Sequence, residues 1–175
     1  LLDSGQATTL HERHFHYDEE LFYRCPDNVS LQGYFQTEKY FRNIKSEIRE
    51  DFTFKEEIFT PCQELMWQLD FPIALHVRRT DYISNSANHP PCPLSYYEKA
   101  LKHFDDDRQV IVFSDDPEWC KEQELFSDDR FMVSENDDNR VDLCLMSLCS
   151  DFIIANSTYS WWGAWLSTNK NKKVI

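Results

Sequence analysis

The hydrophobic residues of this chain follow two different rhythms, with the change near residue 70. Residues 36–54 carry apolar side chains at offsets of 0, 1, 4 and 8, namely Tyr40, Phe41, Ile44 and Ile48. This spacing is typical of one face of an amphipathic helix. A second helical pattern lies around 64–69, and we expect Pro61 to interrupt it, because proline cannot donate a helical hydrogen bond. Residues 1–70 are therefore predicted to be mostly helical.

After Pro72, short apolar runs alternate with helical patterns. The runs predict strands at 73–77, 110–113, 130–133, 152–155 and 174–175. The segments between them predict helices at 95–104, 117–126, 141–148 and 160–167. Nearly continuous apolar strands that alternate with helices are typical of a parallel sheet covered on both faces. We predict an α/β, Rossmann-like domain over residues 71–175, with ligands at the carboxyl ends of its strands.

Composition excludes several classes of protein. The chain has 175 residues, is 41% hydrophobic and carries a formal net charge of −13. It can bury a core, and its charge argues against broad nucleic-acid binding, which depends on Lys and Arg. No apolar run approaches the roughly 18–20 residues of a membrane span. With only three glycines, at 5, 33 and 163, the chain has neither a Walker A loop nor a G-x-G-x-x-G fingerprint.

The cysteines and the two ends of the chain bear on its origin. The six cysteines form no C-x-x-C pair and have no histidine at zinc-finger spacing, so we expect buried thiols in a reducing compartment. The chain opens on Leu1 and closes on a pattern typical of a strand beginning, so we expect a fragment. We expect a cytoplasmic or membrane-associated protein if it is bacterial, and a Golgi membrane protein if an anchor precedes Leu1.

The first apolar run ends in an unusual pair of arginines. By strand alternation, Arg78 shares a face with His76, while Arg79 points the other way. An arginine fork suits phosphate oxygens, so we expect His76 and Arg78 to bind a diphosphate. For Arg79 we expect a structural role, as an ion pair with Asp81.

Acidic residues follow the next strands. Asp116 precedes Pro117 and is expected to cap a helix. Asp115 is not expected to cap a helix and could accept hydrogen bonds from a ribose or a base. For Asp142 two alternatives stay open: it caps its own helix, or it accepts N–H donors from a guanine edge.

The fourth apolar run ends in a hydroxyl-rich turn. A helix N-terminus with nearby hydroxyls binds anions without glycine, so we expect a phosphate site here, formed by Asn156, Ser157, Thr158 and Ser160. Simple helix capping by these residues is the alternative. The tryptophans that follow are expected to pack in the core.

Two acidic or histidine-rich segments resemble metal sites. Residues 105–107 match a D-x-D motif, but they precede a strand, which places them at the wrong end of the sheet. His11, His14 and His16 lie near Asp18, yet no further ligand follows at standard spacing. We therefore predict no metal site.

Several segments together resemble the α-1,2-fucosyltransferases of glycosyltransferase family 11. They are HFHYDEELF (14–22), LQGYFQTEKYF (31–41), LHVRRTDY (75–82), VFSDDPEWCKE (112–122) and DLCLMSLCSDFIIANSTYSWWGAWLS (142–167). The resemblance implies a GT-B-type enzyme of two Rossmann-like halves. Residues 71–175 would be the GDP-fucose-binding domain, truncated at its C-terminus, and residues 1–70 the remainder of the acceptor-side region.

The resemblance also implies an activity. L-fucose would pass from GDP-fucose to the 2-hydroxyl of a β-galactoside, with inversion and without a metal or other cofactor. Arg78 would be catalytic, and His76, Asp115, Asp142, Asn156, Ser157, Thr158 and Ser160 would bind the donor with it. Asp142 would contact the guanine. A non-catalytic GDP-sugar-binding fragment is the alternative; a phosphoacceptor receiver domain would leave the arginine pair unexplained.

Overall fold

The computed structural model describes residues 8–175. The chain forms two compact units, Leu1–Thr53 and Phe54–Ile175. Each unit has its own elements, and the candidate site lies within the second.

The first unit contains a small parallel sheet and short helices. Strands β1 (Thr8–His11) and β2 (Val29–Gln32) pair in parallel. Helix α1 (Glu19–Arg24) lies between them in sequence, and α2 (Lys45–Asp51) follows two 3₁₀ turns at Glu38–Tyr40 and Arg42–Ile44. The single helix predicted over 36–54 is thus broken into three pieces.

A tertiary contact accounts for this break. The Tyr40 hydroxyl accepts a hydrogen bond from the Asp18 amide at 2.8 Å and donates one to Glu12 at 3.0 Å. Phe41, the next residue, leaves the helical region with φ −133° and ψ 9°. Intrinsic helix preference is weak enough to be overridden by such contacts.

The second unit is a four-stranded parallel sheet between two layers of helices. Its strands are β3 (Ile73–Val77), β4 (Val110–Ser114), β5 (Phe131–Val133) and β6 (Asp151–Ile153), in the spatial order β5-β4-β3-β6. Its helices are α3 (Glu56–Met66), α4 (Thr80–Ser84), α5 (Leu94–Leu101), α6 (Pro117–Lys121), α7 (Asn139–Leu148) and α8 (Thr158–Leu166). Val174 adds one parallel bridge to Phe152 at the β6 edge.

Each face of the sheet contributes to its own core. Leu75, Val77 and Val112 pack with residues of α5 and α6 on one face. Ala74, Ile111 and Phe113 pack with residues of α3, α7 and α8 on the other. All four strands are parallel and helices cover both faces, so the predicted α/β, Rossmann-like fold is confirmed.

Helix α3 changes two details of the prediction. Because α3 packs on the sheet beside α7, the second compact unit begins at Phe54 and not at residue 71. The expectation that Pro61 interrupts this helix was wrong, since α3 continues through it. Pro61 lies on the exposed side of α3, where water can satisfy the helical carbonyl that proline leaves without a partner.

The cysteines and helices bear on two further expectations. All six cysteines are free thiols, and Cys62, Cys120, Cys144 and Cys149 are buried. Among residues 8–175, no helix combines the length and apolar character that a membrane crossing requires.

Helices α7 and α8 approach each other closely at Gly163. A Cβ at this position would lie 2.6 Å from Met146 Cγ and would also contact Met146 Sδ. Met146 is fully buried, so its side chain has little room to move. Glycine is therefore the residue that lets these two helices pack at this distance.

We predict that Gly163→Ala lowers the free energy of unfolding by about 1–3 kcal/mol, the usual cost of overpacking a core. Urea denaturation monitored by circular dichroism measures the change. In a Met146→Ala background the same substitution should be neutral or stabilising, because the clash is gone and alanine favours helix. An equal loss in both backgrounds would contradict this explanation.

Candidate active site

A cleft opens at the carboxyl ends of the central strands β3 and β4. Its volume is about 300 Å³, at the lower end of the range typical of small-molecule sites. Its walls come from the turn after β3, the end of β4, and the N-terminal ends of α7 and α8. The lining residues are His76, Arg78, Asp81, Tyr82, Phe113, Ser114, Asp115, Asn139, Asp142, Ser157, Thr158 and Tyr159.

Six of the eight residues predicted from the sequence line this cleft. They are His76, Arg78, Asp115, Asp142, Ser157 and Thr158. The positive group at the end of β3 and the hydroxyl-rich turn after β6 therefore share one cavity. Parallel pairing explains this meeting, because β4 and β6 flank β3 on either side and all three strands end at the same edge.

Asn156 and Ser160 are not among the lining residues. The Asn156 side chain donates a hydrogen bond to the Pro90 carbonyl at 3.1 Å, and the main-chain carbonyl of Asn156 accepts one from the Tyr82 hydroxyl at 2.8 Å. Ser160 is fully buried, and its hydroxyl is 3.2 Å from the Ser157 carbonyl. Both residues thus support the walls of the cleft from behind.

His76 lies at the floor of the cleft and is only 3% exposed. Burial lowers its pKa to about 4; the charge of Asp115 opposes that shift, and the charge of Arg78 adds to it. The imidazole is therefore neutral at physiological pH. Its ring lies 5.5 Å from that of Tyr159, and its Nδ1 has no hydrogen-bond partner within the described part of the chain.

Arg78 is the only cationic residue among the side chains that line the cleft in the described structure. It forms ion pairs with Asp81 at 2.9 Å and with Asp115 at 3.3 Å, and 32% of its side chain is exposed. Its guanidinium carbon lies 5.8 Å from the centre of the Tyr82 ring. The guanidinium is therefore held between two carboxylates and an aromatic ring.

Arg79 points away from the cleft, as strand alternation predicts. Its guanidinium lies 3.6 Å from the centre of the Trp119 ring and pairs with Asp116 at 3.0 Å. The expected ion pair with Asp81 was wrong, because Asp81 pairs with Arg78 instead. Arg79 therefore has the expected structural role, but its ion-pair partner is Asp116.

Asp115 and Asp116, which follow β4, make different contacts. Asp116 caps α6 by accepting a hydrogen bond from the Trp119 amide at 3.3 Å, as predicted. Asp115, predicted to accept hydrogen bonds from a ribose or a base, lines the cleft and also has partners within the protein. It accepts hydrogen bonds from the Arg79 amide at 2.9 Å, from the Thr80 amide at 3.1 Å and from the Thr80 hydroxyl.

These contacts determine the ionisation of Asp115. Burial alone would raise its pKa, but the hydrogen bonds from Thr80 and Arg79, together with the charge of Arg78, lower the pKa below its ordinary value. The carboxylate is thus stabilised in its charged form, and it fixes the backbone where the chain leaves β3.

Asp142 lies in the first turn of α7 and is buried. Its Oδ1 accepts hydrogen bonds from the Ser134 hydroxyl at 2.6 Å and from the Asn136 side chain at 2.9 Å. Burial raises its pKa, and these two bonds partly offset the rise. Asp138 caps α7, accepting from the Arg140 amide at 2.8 Å. The capping alternative for Asp142 is therefore excluded, and Asp142 lines the cleft.

The N-terminal end of α8 forms the opposite wall. Ser157 is the N-cap residue, and Thr158 and Tyr159 begin the helix. The first amides of a helix have no partner inside it and carry its positive dipole end. The Tyr159 hydroxyl donates to the Asn139 carbonyl at 2.6 Å, which ties the starts of α7 and α8 together.

Six lining residues were not predicted: Asp81, Tyr82, Phe113, Ser114, Asn139 and Tyr159. Phe113 and Ser114 lie at the end of a predicted strand, and Tyr159 lies between the predicted strand at 152–155 and the predicted helix at 160–167, so position alone could have indicated them. Asp81 was assigned to a different arginine, and Tyr82 lies on α4, a short helix that the hydrophobic pattern does not show.

Neither of the two weak metal candidates forms a set of metal ligands within residues 8–175. Asp105, Asp106 and Asp107 immediately precede β4 and so lie at the amino end of the sheet. The His14 ring nitrogen bonds with the His16 carbonyl, and Asp18 pairs with Arg13. Among residues 8–175, no three His, Cys, Asp or Glu side chains are grouped as metal ligands.

Comparison with known proteins gives a consistent result. Residues 10–175 match the sequence model described as Glycosyl transferase family 11. The O-antigen biosynthesis glycosyltransferase WbnK of Escherichia coli is 35% identical, over 90% of this chain and 59% of its own length. The alpha-1,2-colitosyltransferase of Escherichia coli is 37% identical, over 79% of this chain and 51% of its own.

More distant relatives extend the comparison. The human galactoside alpha-(1,2)-fucosyltransferase 1 is 24% identical, over 79% of this chain and 43% of its own. The chain thus spans about half the length of these curated relatives. POFUT1, crystallised in complex with GDP, has a similar fold, with a TM-score of 0.56 at 13% identity, over 90% of this chain and 59% of its own.

We predict that Asp115→Asn lowers the free energy of unfolding by about 1–2 kcal/mol at neutral pH, because it weakens several hydrogen bonds to a charged acceptor. The pKa of Asp115 is lower in the folded state than in the unfolded chain. Its contribution is therefore complete above the unfolded pKa of about 3.9 and lost as pH falls through the folded value.

Urea denaturation of both proteins between pH 8 and pH 3 tests this. The difference between them should be constant down to about pH 5 and shrink below about pH 4. Asp107→Asn, which removes an exposed carboxylate at the other end of β4, is the matched control and should show little difference at any pH. A gap that persists undiminished at pH 3 would contradict the role of the charged form.

Proposed function

The chain belongs to glycosyl transferase family 11, and on this premise we propose that it forms the donor-binding part of an enzyme that transfers L-fucose from GDP-fucose to the 2-hydroxyl of a β-galactoside with inversion. One observation carries the proposal: Arg78 and the N-terminal turn of α8 line the same cleft at the carboxyl end of a parallel sheet. Two anion-binding groups in one such cleft suit a diphosphate.

The diphosphate would lie between these two groups. Arg78 offers a planar fork of N–H donors, and the start of α8 offers backbone amides with the hydroxyls of Ser157 and Thr158. Asn156 and Ser160 would act indirectly, by holding this turn and the Tyr82 side of the cleft in place. The site thus recognises phosphate without a glycine-rich loop.

The guanine would be recognised by Asp142. Its carboxylate, oriented by Ser134 and Asn136, can accept hydrogen bonds from the ring N–H and the amino group of guanine. His76 supports the same ligand as a neutral hydrogen-bonding group, because its lowered pKa keeps it uncharged. Its orphaned Nδ1 is a buried polar atom that a bound ligand would satisfy. Asp115 would contribute by holding the turn and Arg78.

The chemistry requires positive charge at the leaving group. When the sugar–oxygen bond breaks, negative charge develops on the β-phosphate of GDP. A cation about 4 Å away in a site of effective dielectric about 20 is worth around 4 kcal/mol, and it accelerates the reaction to the extent that this interaction is stronger in the transition state. Arg78 is the residue placed to supply it, and no metal or other cofactor is invoked.

Two other functions are compatible with the same cleft. The 37% identity to an alpha-1,2-colitosyltransferase favours a related deoxysugar as a second candidate for the transferred group. A GDP-sugar-binding protein without catalysis is the other. Calorimetry with GDP, followed by transfer assays to lactose from nucleotide-activated fucose and colitose, separates the three cases.

In the full-length protein, we predict that Arg78→Ala lowers kcat/KM for the donor by about 10²–10³-fold, the usual loss when one group that stabilises developing charge is removed. Arg78→Lys should recover part of this loss, since it retains the charge but not the fork. Steady-state transfer kinetics and thermal denaturation together give the readout. Lys102→Ala, which removes an exposed cation at the end of α5, is the control. Near-normal kcat/KM in folded Arg78→Ala would refute the assignment.

We also predict that transfer continues in excess EDTA. The expectation rests on Arg78 as the counter-charge and on the position of the D-x-D motif, which lies at the opposite end of β4 from the cleft. Activity is measured before chelation, after it, and after addition of Mn²⁺. Loss on chelation with rescue by Mn²⁺ would show that a divalent metal shares the role given to Arg78.

A further inference from the structure

The cleft has a charge balance that is unexpected for an anion site. Its lining contains one arginine, Arg78, and three aspartates at 81, 115 and 142 among the described residues. Two of those aspartates, Asp81 and Asp115, are ion-paired with the Arg78 guanidinium. A phosphate that approaches Arg78 therefore meets a cation whose charge is already shared with two carboxylates.

The two carboxylates differ in how firmly they are held. The Asp115 side chain is 18% exposed and also accepts hydrogen bonds from the amides of Arg79 and Thr80. It cannot leave Arg78 without also releasing the turn after β3. The Asp81 side chain is 59% exposed and makes the shorter contact with Arg78, at 2.9 Å.

The position of Asp81 allows its side chain to move without its backbone. Its carbonyl accepts hydrogen bonds from the Ser84 hydroxyl at 2.9 Å and from the Asn85 amide at 3.0 Å, so the main chain of α4 is secured. Exposed ion pairs are weak, at about 0.2–1 kcal/mol. Rotation of the carboxylate into water therefore costs little.

From these contacts we propose that Asp81 is a built-in competitor of the donor phosphate. Its carboxylate contacts Nη2 of the Arg78 fork at 2.9 Å, and binding of GDP or the GDP-sugar exchanges Asp81 for a phosphate group while Asp115 stays in place. Asp81 thereby limits donor affinity, and by returning to Arg78 it favours release of GDP after transfer. This inference rests on the proposed function of the site.

The experiment compares nucleotide binding by the full-length protein and three variants. Calorimetric titrations with GDP are made on the wild type, on Asp81→Asn, on Asp81→Glu and on Asp107→Asn. The Asn variant keeps the size of the side chain and removes its charge. The Glu variant retains a competing carboxylate. The Asp107 variant makes the same change of net charge far from the cleft, and thermal denaturation confirms that each protein is folded.

We expect Asp81→Asn to bind GDP roughly two- to fivefold more tightly than the wild type, as removal of one exposed ion pair allows. Asp81→Glu and Asp107→Asn should bind GDP as the wild type does. Guanosine, which lacks phosphate, should bind all four proteins equally, because the exchange takes place at the phosphate end. If Asp81 had a purely structural role, Asp81→Asn would instead bind both GDP and guanosine less tightly than the wild type.

The outcomes separate this inference from the function on which it rests. If the wild type binds GDP and Asp81→Asn binds it equally or more weakly, the competitor role is refuted and the donor site stands. If Asp81→Asn increases the affinity for guanosine as much as the affinity for GDP, the exchange at Arg78 is likewise refuted. If neither the wild type nor Asp81→Asn binds GDP, both proposals fall.

Discussion

The carboxylate of Asp115 is the interaction on which the arrangement of the cleft depends. It accepts hydrogen bonds from the amides of Arg79 and Thr80, which follow Arg78 where the chain turns away from β3. These bonds fix the direction in which the chain leaves the strand, so that Arg78 turns into the cleft and Arg79 turns onto Trp119. Because backbone amides at a strand end need partners, the same bonds that satisfy them also position the cation.

The parallel sheet makes this bond possible. In the β3–β4 pair, His76 lies opposite Phe113 and Val77 lies opposite Ser114. The residue that follows Ser114 therefore stands beside the turn that follows Val77, and it is an aspartate. A shift of register by one residue would reverse the face of every side chain in the strand and would move Asp115 out of reach. The buried apolar residues that hold the register are thus coupled to the placement of charge in the site.

Local pattern was enough to predict the sheet, the meeting of two strand ends and the opposite directions of Arg78 and Arg79, since strand alternation is a geometric rule. It was not enough for the pairing of charged groups. Asp81 was assigned to Arg79, and the bonds between Asp115 and the turn after β3 were not predicted, because partners across a turn are selected by how the turn folds and not by spacing along the chain. Helix α3 was placed outside the sheet domain for a similar reason: its attachment depends on contacts with α7, far away in sequence.

The proposed phosphate site is built on an arginine and a helix N-terminus, in a chain with three glycines and a net charge of −13, and differs physically from one built on a glycine-rich loop. Successive backbone amides in such a loop form a concavity that binds phosphate directly. An arginine that is already paired offers only the difference between two ion pairs, so phosphate alone gains little by binding. In the proposed site, the remaining affinity would come from the amides at the start of α8 and from the other end of the ligand, where buried Asp142 and neutral His76 offer directional hydrogen bonds. Such an arrangement would favour a complete nucleotide over free phosphate, because only the nucleotide would contact both ends of the cleft.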